Sequence, residues 1–306
     1  MHVDIVIGAH RIGTQKECAV LADRISSTQQ HSAALHTPIS GLRGLVQGAK
    51  WAWVNAADAV LIYNVSMVNL AIALIYRLRR RRVIWMNHEP MGFGHKRINN
   101  SLAYSVQVCL AEFMFGALST SIGTPSRPNA GKYGQNFFPL QYQLDPVTPD
   151  HAEDGRVSYL GRLDETRFLY GFKRLDQYGL KPRFFPSGAD RSEAAKRDFL
   201  ETTDFVVNIY RRAHAQSGVT PDALSAMVPV IVGANDAWAT EDWGGYLHIV
   251  DESLSDAELS LKIRDIAKAA PQRDEAVFRQ TFENSFGPSA FQRHWLPVLD
   301  TVSGNR

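Results

Sequence analysis

Short, mostly apolar runs recur along the chain, separated by stretches long enough for a helix. They are Val3–Ile7, Ala59–Tyr63, Val83–Met86, Ser119–Gly123, Val157–Leu160, Phe205–Asn208 and Pro229–Val232. A strand that is apolar on both faces cannot leave one face in water. Alternating with helices, such strands build a parallel sheet covered on both sides. A length of 306 residues predicts two domains of this α/β class.

The first run breaks at Gly8 and continues through the loop GAHRIG into a helix expected over Thr14–Ile25. Thr14 is read as its N-cap, with Glu17 completing a capping box. Strand, glycine-containing loop and helix open many nucleotide-binding domains, but the loop is not GxGxxG. From Ala59 to Tyr76 there are eighteen residues without a charge, followed by Arg77, Arg79, Arg80, Arg81 and Arg82. That length raises the question of a membrane span. Asn64, Ser66 and Asn69 would then lie near the bilayer centre, so the stretch is read as a strand, a loop and a helix from Met67 to about Arg80. Leu102–Leu118, with Glu112 as its one charge, reads as a buried helix. LDPVTPDHAEDG at Leu144–Gly155 is the expected linker, giving domains at 1–145 and 146–290, and the final helix, about 291–306, is expected to pack back on the first.

Composition sets the other limits. Two cysteines, Cys18 and Cys109, offer no disulfide framework and no metal-ligand spacing. The opening MHVDIVIGAH has no basic segment followed by a long apolar one, so a cytoplasmic location is expected. Residues 1–150 hold 14 Lys and Arg against 8 Asp and Glu, whereas residues 151–306 hold 19 against 23. The arginine run is either a solvated helix end or a patch for anionic lipid at the inner face of a membrane. Nucleic acid is not an expected partner, because no aromatic residues interleave with the arginines. There is no GxSxG, HExxH or P-loop motif.

Two segments of the second half go further. Tyr159-Leu160-Gly161-Arg162-Leu163-Asp164-Glu165-Thr166-Arg167 is followed, after about sixty residues, by Pro221-Asp222-Ala223-Leu224-Ser225-Ala226-Met227-Val228-Pro229-Val230-Ile231-Val232. In this order they resemble the donor-binding half of GT-B glycosyltransferases, especially glycosyltransferase family 4. DAVLIYNVSMVNLAIAL followed by RVIWMNHEP is similar to that family's acceptor-side strand–helix–strand and its histidine loop. The resemblance implies two Rossmann-like domains with parallel sheets facing an interdomain cleft, acceptor side first and donor side second. The donor half is shorter than usual.

The resemblance also implies roles. Gly161, Arg162 and Arg167 would hold the donor diphosphate, Arg167 standing where the family has lysine. Asp222 stands where a glutamate binds the ribose. His214 replaces a second carboxylate, eight residues earlier. His88 would contact the donor sugar or phosphate, and Gly13 and Arg11 would approach the phosphates from the first domain. Two cations converging on a diphosphate stabilise the charge that grows as it leaves. For each residue a plainer reading stays open: an ion pair for the arginines, a helix-start acid for Asp222, a structural histidine for His88 and His214.

The expected activity is transfer of a sugar from a nucleotide-sugar donor to a glycan or lipid-linked acceptor, with retention, in bacterial polysaccharide or glycolipid synthesis. No cofactor or metal is expected. The alternative is a weak or inactive protein of the same fold that binds a sugar or nucleotide. A Rossmann dehydrogenase is disfavoured by the absence of GxGxxG.

Overall fold

The computed structural model describes residues 1–7, 12–63, 65–88, 102–148, 155–160, 167–185, 192–211, 217–269 and 272–304. They form two compact units, Met1–Tyr142 with Ser285–Arg306, and Gln143–Asn284.

The first unit runs β1 (His2–Val6), α1 (Ile12–Ser27), β2 (Ser32–His36), α2 (Gly41–Val54), β3 (Ala59–Ile62), α3 (Met67–Leu78), β4 (Arg82–Met86), α4 (Leu102–Leu118), β5 (Ser121–Thr124), α5 (Arg127–Tyr133) and β6 (Asn136–Phe137). All strands are parallel, in the order β2-β1-β3-β4-β5-β6. β3 and β4 are apolar on both faces because helices cover both. Right-handed crossovers place α2, α3 and α4 on one face and α1 on the other. Accordingly Val60, Ile62, Val83 and Trp85 pack against Ala52 of α2, Ile72 and Tyr76 of α3, and Phe115 of α4. α2 comes close to α3 because Gly48 has no side chain, and a Cβ there would lie 3.0 Å from Val68.

The second unit continues with β7 (Arg156–Tyr159), α6 (Leu169–Phe172), β8 (Lys181–Phe184), α7 (Glu193–Glu201), β9 (Phe205–Asn208), α8 (Val219–Ser225), β10 (Val230–Gly233), β11 (Leu247–Val250), α9 (Asp256–Lys268) and most of α10 (Glu275–Phe286). Its five strands are parallel, in the order β11-β10-β9-β7-β8. Tyr159, Phe172, Phe205, Val207, Ile231, Leu259 and Ile263 form its core. The chain then rejoins the first unit through α11 (Pro288–Ala290), a π-helical turn at Phe291–Trp295 and α12 (Leu296–Ser303). There the Trp295 indole stacks on Phe138 at 4.3 Å and donates to the Pro139 carbonyl at 2.9 Å.

Two local expectations are corrected. α1 begins at Ile12, so Thr14 lies within the helix and is not its cap, and the Glu17 carboxylate instead accepts the Tyr63 hydroxyl. α4 is not buried all round, since Leu110 and Phe113 are exposed. In the described part of the expected linker, the amides of Asp145 and Val147 donate to the carbonyls of Ser225 and Ala226. The stretch Ala59–Tyr76 is β3 and α3, with Ser66 capping α3 by accepting the Asn69 amide. Among the described residues no helix is long and apolar enough to cross a membrane.

Candidate functional site

In the second unit, β7 is flanked by β8 on one side and β9 on the other, so the chain reverses direction across the sheet between β7 and β9. Open parallel sheets bind ligands at the carboxyl ends of the strands flanking such a reversal. Here those ends are Leu160 and Asn208, and Arg167 joins them. Its guanidinium donates to the Leu160 carbonyl at 2.9 Å and to Asn208 Oδ1 at 2.5 Å. The Tyr159 and Tyr210 rings flank it, 4.1 and 5.1 Å from the guanidinium carbon. β9 is wholly buried, so Asn208 can end it only if its amide is fully engaged. Its Nδ2 donates to Thr220 Oγ1 at 2.8 Å, and its Oδ1 also accepts the Ser217 hydroxyl at 3.5 Å.

Beside this junction, Asn208, Tyr210, Ser217, Gly233, Asn235 and Asp236 line a pocket that is partly open to solvent. The Asp236 carboxylate accepts the Trp238 amide at 3.0 Å and the Thr220 hydroxyl at 3.4 Å. Burial outweighs these bonds and raises its pKa from 3.8 to about 6. Behind Gly233 lies Glu252, 9% exposed. Glu252 Oε1 accepts from the Asn235 amide, while Oε2 is buried with no hydrogen-bond partner among the described residues. A Cβ on Gly233 would come within 2.8 Å of Glu252 Oε2, so glycine is what lets β10 pass this carboxylate.

The expected site residues are placed as follows. Arg167 is 4% exposed, its guanidinium turned into the unit behind the pocket wall and away from open solvent. Asp222 is in the first turn of α8, where its carboxylate accepts from Lys196 Nζ at 3.1 Å. Lys196 also reaches Glu193 at 3.0 Å. Burial pulls the Lys196 pKa down, but the two carboxylates outweigh it and the net shift is upward. Gly13 is the second residue of α1. Arg11, Gly161, Arg162 and His214 lie outside the described residues.

His88 follows β4 at the carboxyl edge of the first sheet, whose own reversal falls between β1 and β3. Its ring lies 5.3 Å from that of Tyr63, which follows β3. The Tyr63 hydroxyl donates to Glu17 Oε1 at 2.6 Å. Burial first, and then the Glu17 charge, push the Tyr63 pKa well above its usual value. Each sheet therefore gathers polar groups at its carboxyl edge. No group of three His, Cys, Asp or Glu that could hold a metal ion occurs among the described residues.

No protein-family model matches the chain, and neither does any curated protein. Solved structures do. HepE from Anabaena, crystallised with UDP and glucose, aligns with a TM-score of 0.68 at 9% identity over 99% of this chain and 100% of its own. AviGT4, a glycosyltransferase involved in avilamycin A biosynthesis, aligns at 0.61 and 12% identity over 99% and 98%. A putative UDP-N-acetylglucosamine 2-epimerase from Listeria monocytogenes aligns at 0.56 and 11% over 92% and 95%. The fold is of GT-B type. At this identity the likeness establishes architecture, and the choice among chemistries rests on the chain's own residues.

Motif reading missed Asn208, Ser217, Thr220, Asp236 and Glu252. One signal was present, since Asn235-Asp236 directly follows the apolar run VIVG, at a strand's carboxyl end. The partnership of Asn208 with Arg167 joins residues 41 apart in sequence and left no local trace.

Proposed function

We propose that the protein transfers a sugar from a nucleotide-sugar donor to a hydroxyl of a glycan or lipid-linked acceptor, in bacterial polysaccharide or glycolipid synthesis. The observation that carries this reading is the pocket at the carboxyl ends of β9 and β10, beside the Arg167–Asn208 junction. The fold shared with AviGT4 and with UDP-bound HepE supports it. In this reading Arg162 and Gly161 meet the diphosphate and Asp222 meets the ribose. Arg167 acts as a positioning residue, holding Asn208 and Leu160 at the strand ends. His88, Gly13 and Arg11 belong to the acceptor side, and His214 faces the transferred sugar.

The reaction then runs with retention. The bond from the sugar C1 to the diphosphate oxygen breaks, and its electron pair leaves with the diphosphate. The acceptor hydroxyl oxygen bonds to C1 on the same face, and its proton passes to the departing phosphate oxygen. No protein carboxylate is needed as base, and the arginine charge stabilises the leaving group as it forms.

One observation favours a second reading. Asp222 is held by Lys196, so a ribose must compete with an ion pair for its carboxylate. Such competition weakens nucleotide binding and, through it, turnover, which suits a weak or inactive protein of the same fold. Thermal shift with UDP-, GDP-, ADP-, dTDP- and CMP-sugars separates the cases in two steps. A matching donor at about a hundred times its Kd adds about 2.7 kcal/mol of stability. Its conversion to a glycoside, to an epimer or to nothing then identifies the chemistry. If no nucleotide sugar raises the melting temperature, the proposal fails.

A further inference from the structure

The outer side of the α2–α3–α4 layer in the first unit is apolar where a water-facing helix layer is normally polar. On α2, Leu42 is 79% and Trp53 59% exposed; on α3, Leu74 and Leu78 are 45% and 65%; on α4, Leu110 and Phe113 are 58% and 71%. α3 packs against both α2 and α4, so the three exposed stripes adjoin. Single exposed apolar residues are ordinary, but adjoining stripes on three helices mark an interaction surface.

The charges on this layer select the partner. Exposed Arg43 and Lys50 lie on α2, Arg77 is in the last turn of α3, and Arg80 follows it. Arg79 and Arg81 are engaged with the carbonyls of Ala52, Asn55 and Ala57, so they brace the layer. Among the described residues, α2 and α3 contain no acid and the one acid of α4, Glu112, is buried. Asp58, beyond α2, accepts the His2 amide. The face is thus apolar with cations of one sign.

We propose that this face docks the first unit on an anionic lipid surface. The arginines and the lysine meet the headgroups, and Trp53, Leu78 and Phe113 enter the boundary between headgroups and acyl chains. A second copy is a poorer partner, because a two-fold contact through this face would press cations against cations. The inference does not depend on sugar transfer, and its test involves no nucleotide sugar.

The test is sedimentation of the full chain with vesicles of phosphatidylcholine alone or mixed with phosphatidylglycerol. Binding is expected only to the mixed vesicles. It should come with a blue shift of emission from Trp53, which is more exposed than any other described tryptophan. Raising salt to about 1 M shrinks the screening length to about 3 Å and should weaken binding without abolishing it, because the inserted side chains stay put. Arg77→Ser with Arg80→Asn should weaken binding about thirtyfold. Asparagine suits position 80, where φ is +59°. Trp53→Phe should remove the blue shift but keep the binding. Equal binding to both vesicle types, or no binding to either, overturns the proposal. So does a dimer in solution that shields Trp53 from quenchers without lipid.

Discussion

Replacing Asp236 with asparagine should stabilise the second unit at neutral pH and leave it unchanged in mild acid. The folded carboxyl titrates near 6 rather than near 3.8, because burial outweighs its bonds from Trp238 and Thr220. Between about pH 4 and pH 6 the folded state therefore binds more protons than the unfolded state. Stability from this group is complete below the unfolded pKa and drains away as pH rises through the folded one. A shift of about two units corresponds to about 3 kcal/mol, or about 2 after allowance for the part of the residue open to solvent. Asparagine keeps an acceptor for the Trp238 amide and cannot ionise. The stability of the variant minus that of the parent should therefore be near zero at pH 4 and rise by about 2 kcal/mol by pH 7. Native-state hydrogen exchange of the β9 and β10 amides measures this for the second unit alone. Taking the difference at each pH cancels every other titrating group. A difference that stays flat from pH 4 to 7 would mean that the carboxyl is not desolvated as described.

Arg167→Met should destabilise the second unit by about 3–5 kcal/mol, read from the same amides, because it removes charged bonds to Asn208 and Leu160 inside a buried network. A loss below about 1 kcal/mol would show the guanidinium to be solvated. Gly233→Ala should cost about 1–3 kcal/mol, since the added Cβ meets Glu252 Oε2 at 2.8 Å, and urea unfolding checks it. Once the donor is known, Arg162→Ala should lower turnover roughly a hundredfold with little change in donor affinity, while Asp222→Ala should mainly weaken binding; steady-state rates and calorimetry distinguish the two patterns. In the first unit, Tyr76→Phe should cost about 1–3 kcal/mol in urea unfolding, because the Tyr76 hydroxyl donates to the buried Asp4 carboxylate at 2.6 Å.

The central strands were legible in the sequence because burial on both faces demands an unbroken apolar run, and β3, β4, β9 and β10 have one. The edge strands were not. β2 (SAALH), β8 (KPRF) and β11 (LHIV) keep partly exposed faces, so nothing forced their residues to be uniformly apolar. Capping was not legible either. The Thr14–Glu17 pair reads as a capping box, but Glu17 goes to Tyr63, 46 residues away, whereas Ser66 and Ser192, not read as caps from the sequence, cap their helices through side-chain bonds.

The site divides along the same line. By itself the sequence determined that the second half carries a strand-end GR motif and an acid at a helix start, since both are short-range patterns. Tertiary structure alone decided what Arg167 and Asp222 face. Arg167 became a buried brace when β7 and β9, distant in sequence, came side by side, and Asp222 became half of an ion pair when α7 brought Lys196 to α8. Likewise, the arginine run was visible at once, but whether its charges border an apolar face depended on α2, α3 and α4 lying on one side of the sheet. Periodicity fixes which residues share a side of one helix, and only packing fixes which helices share a side of the protein.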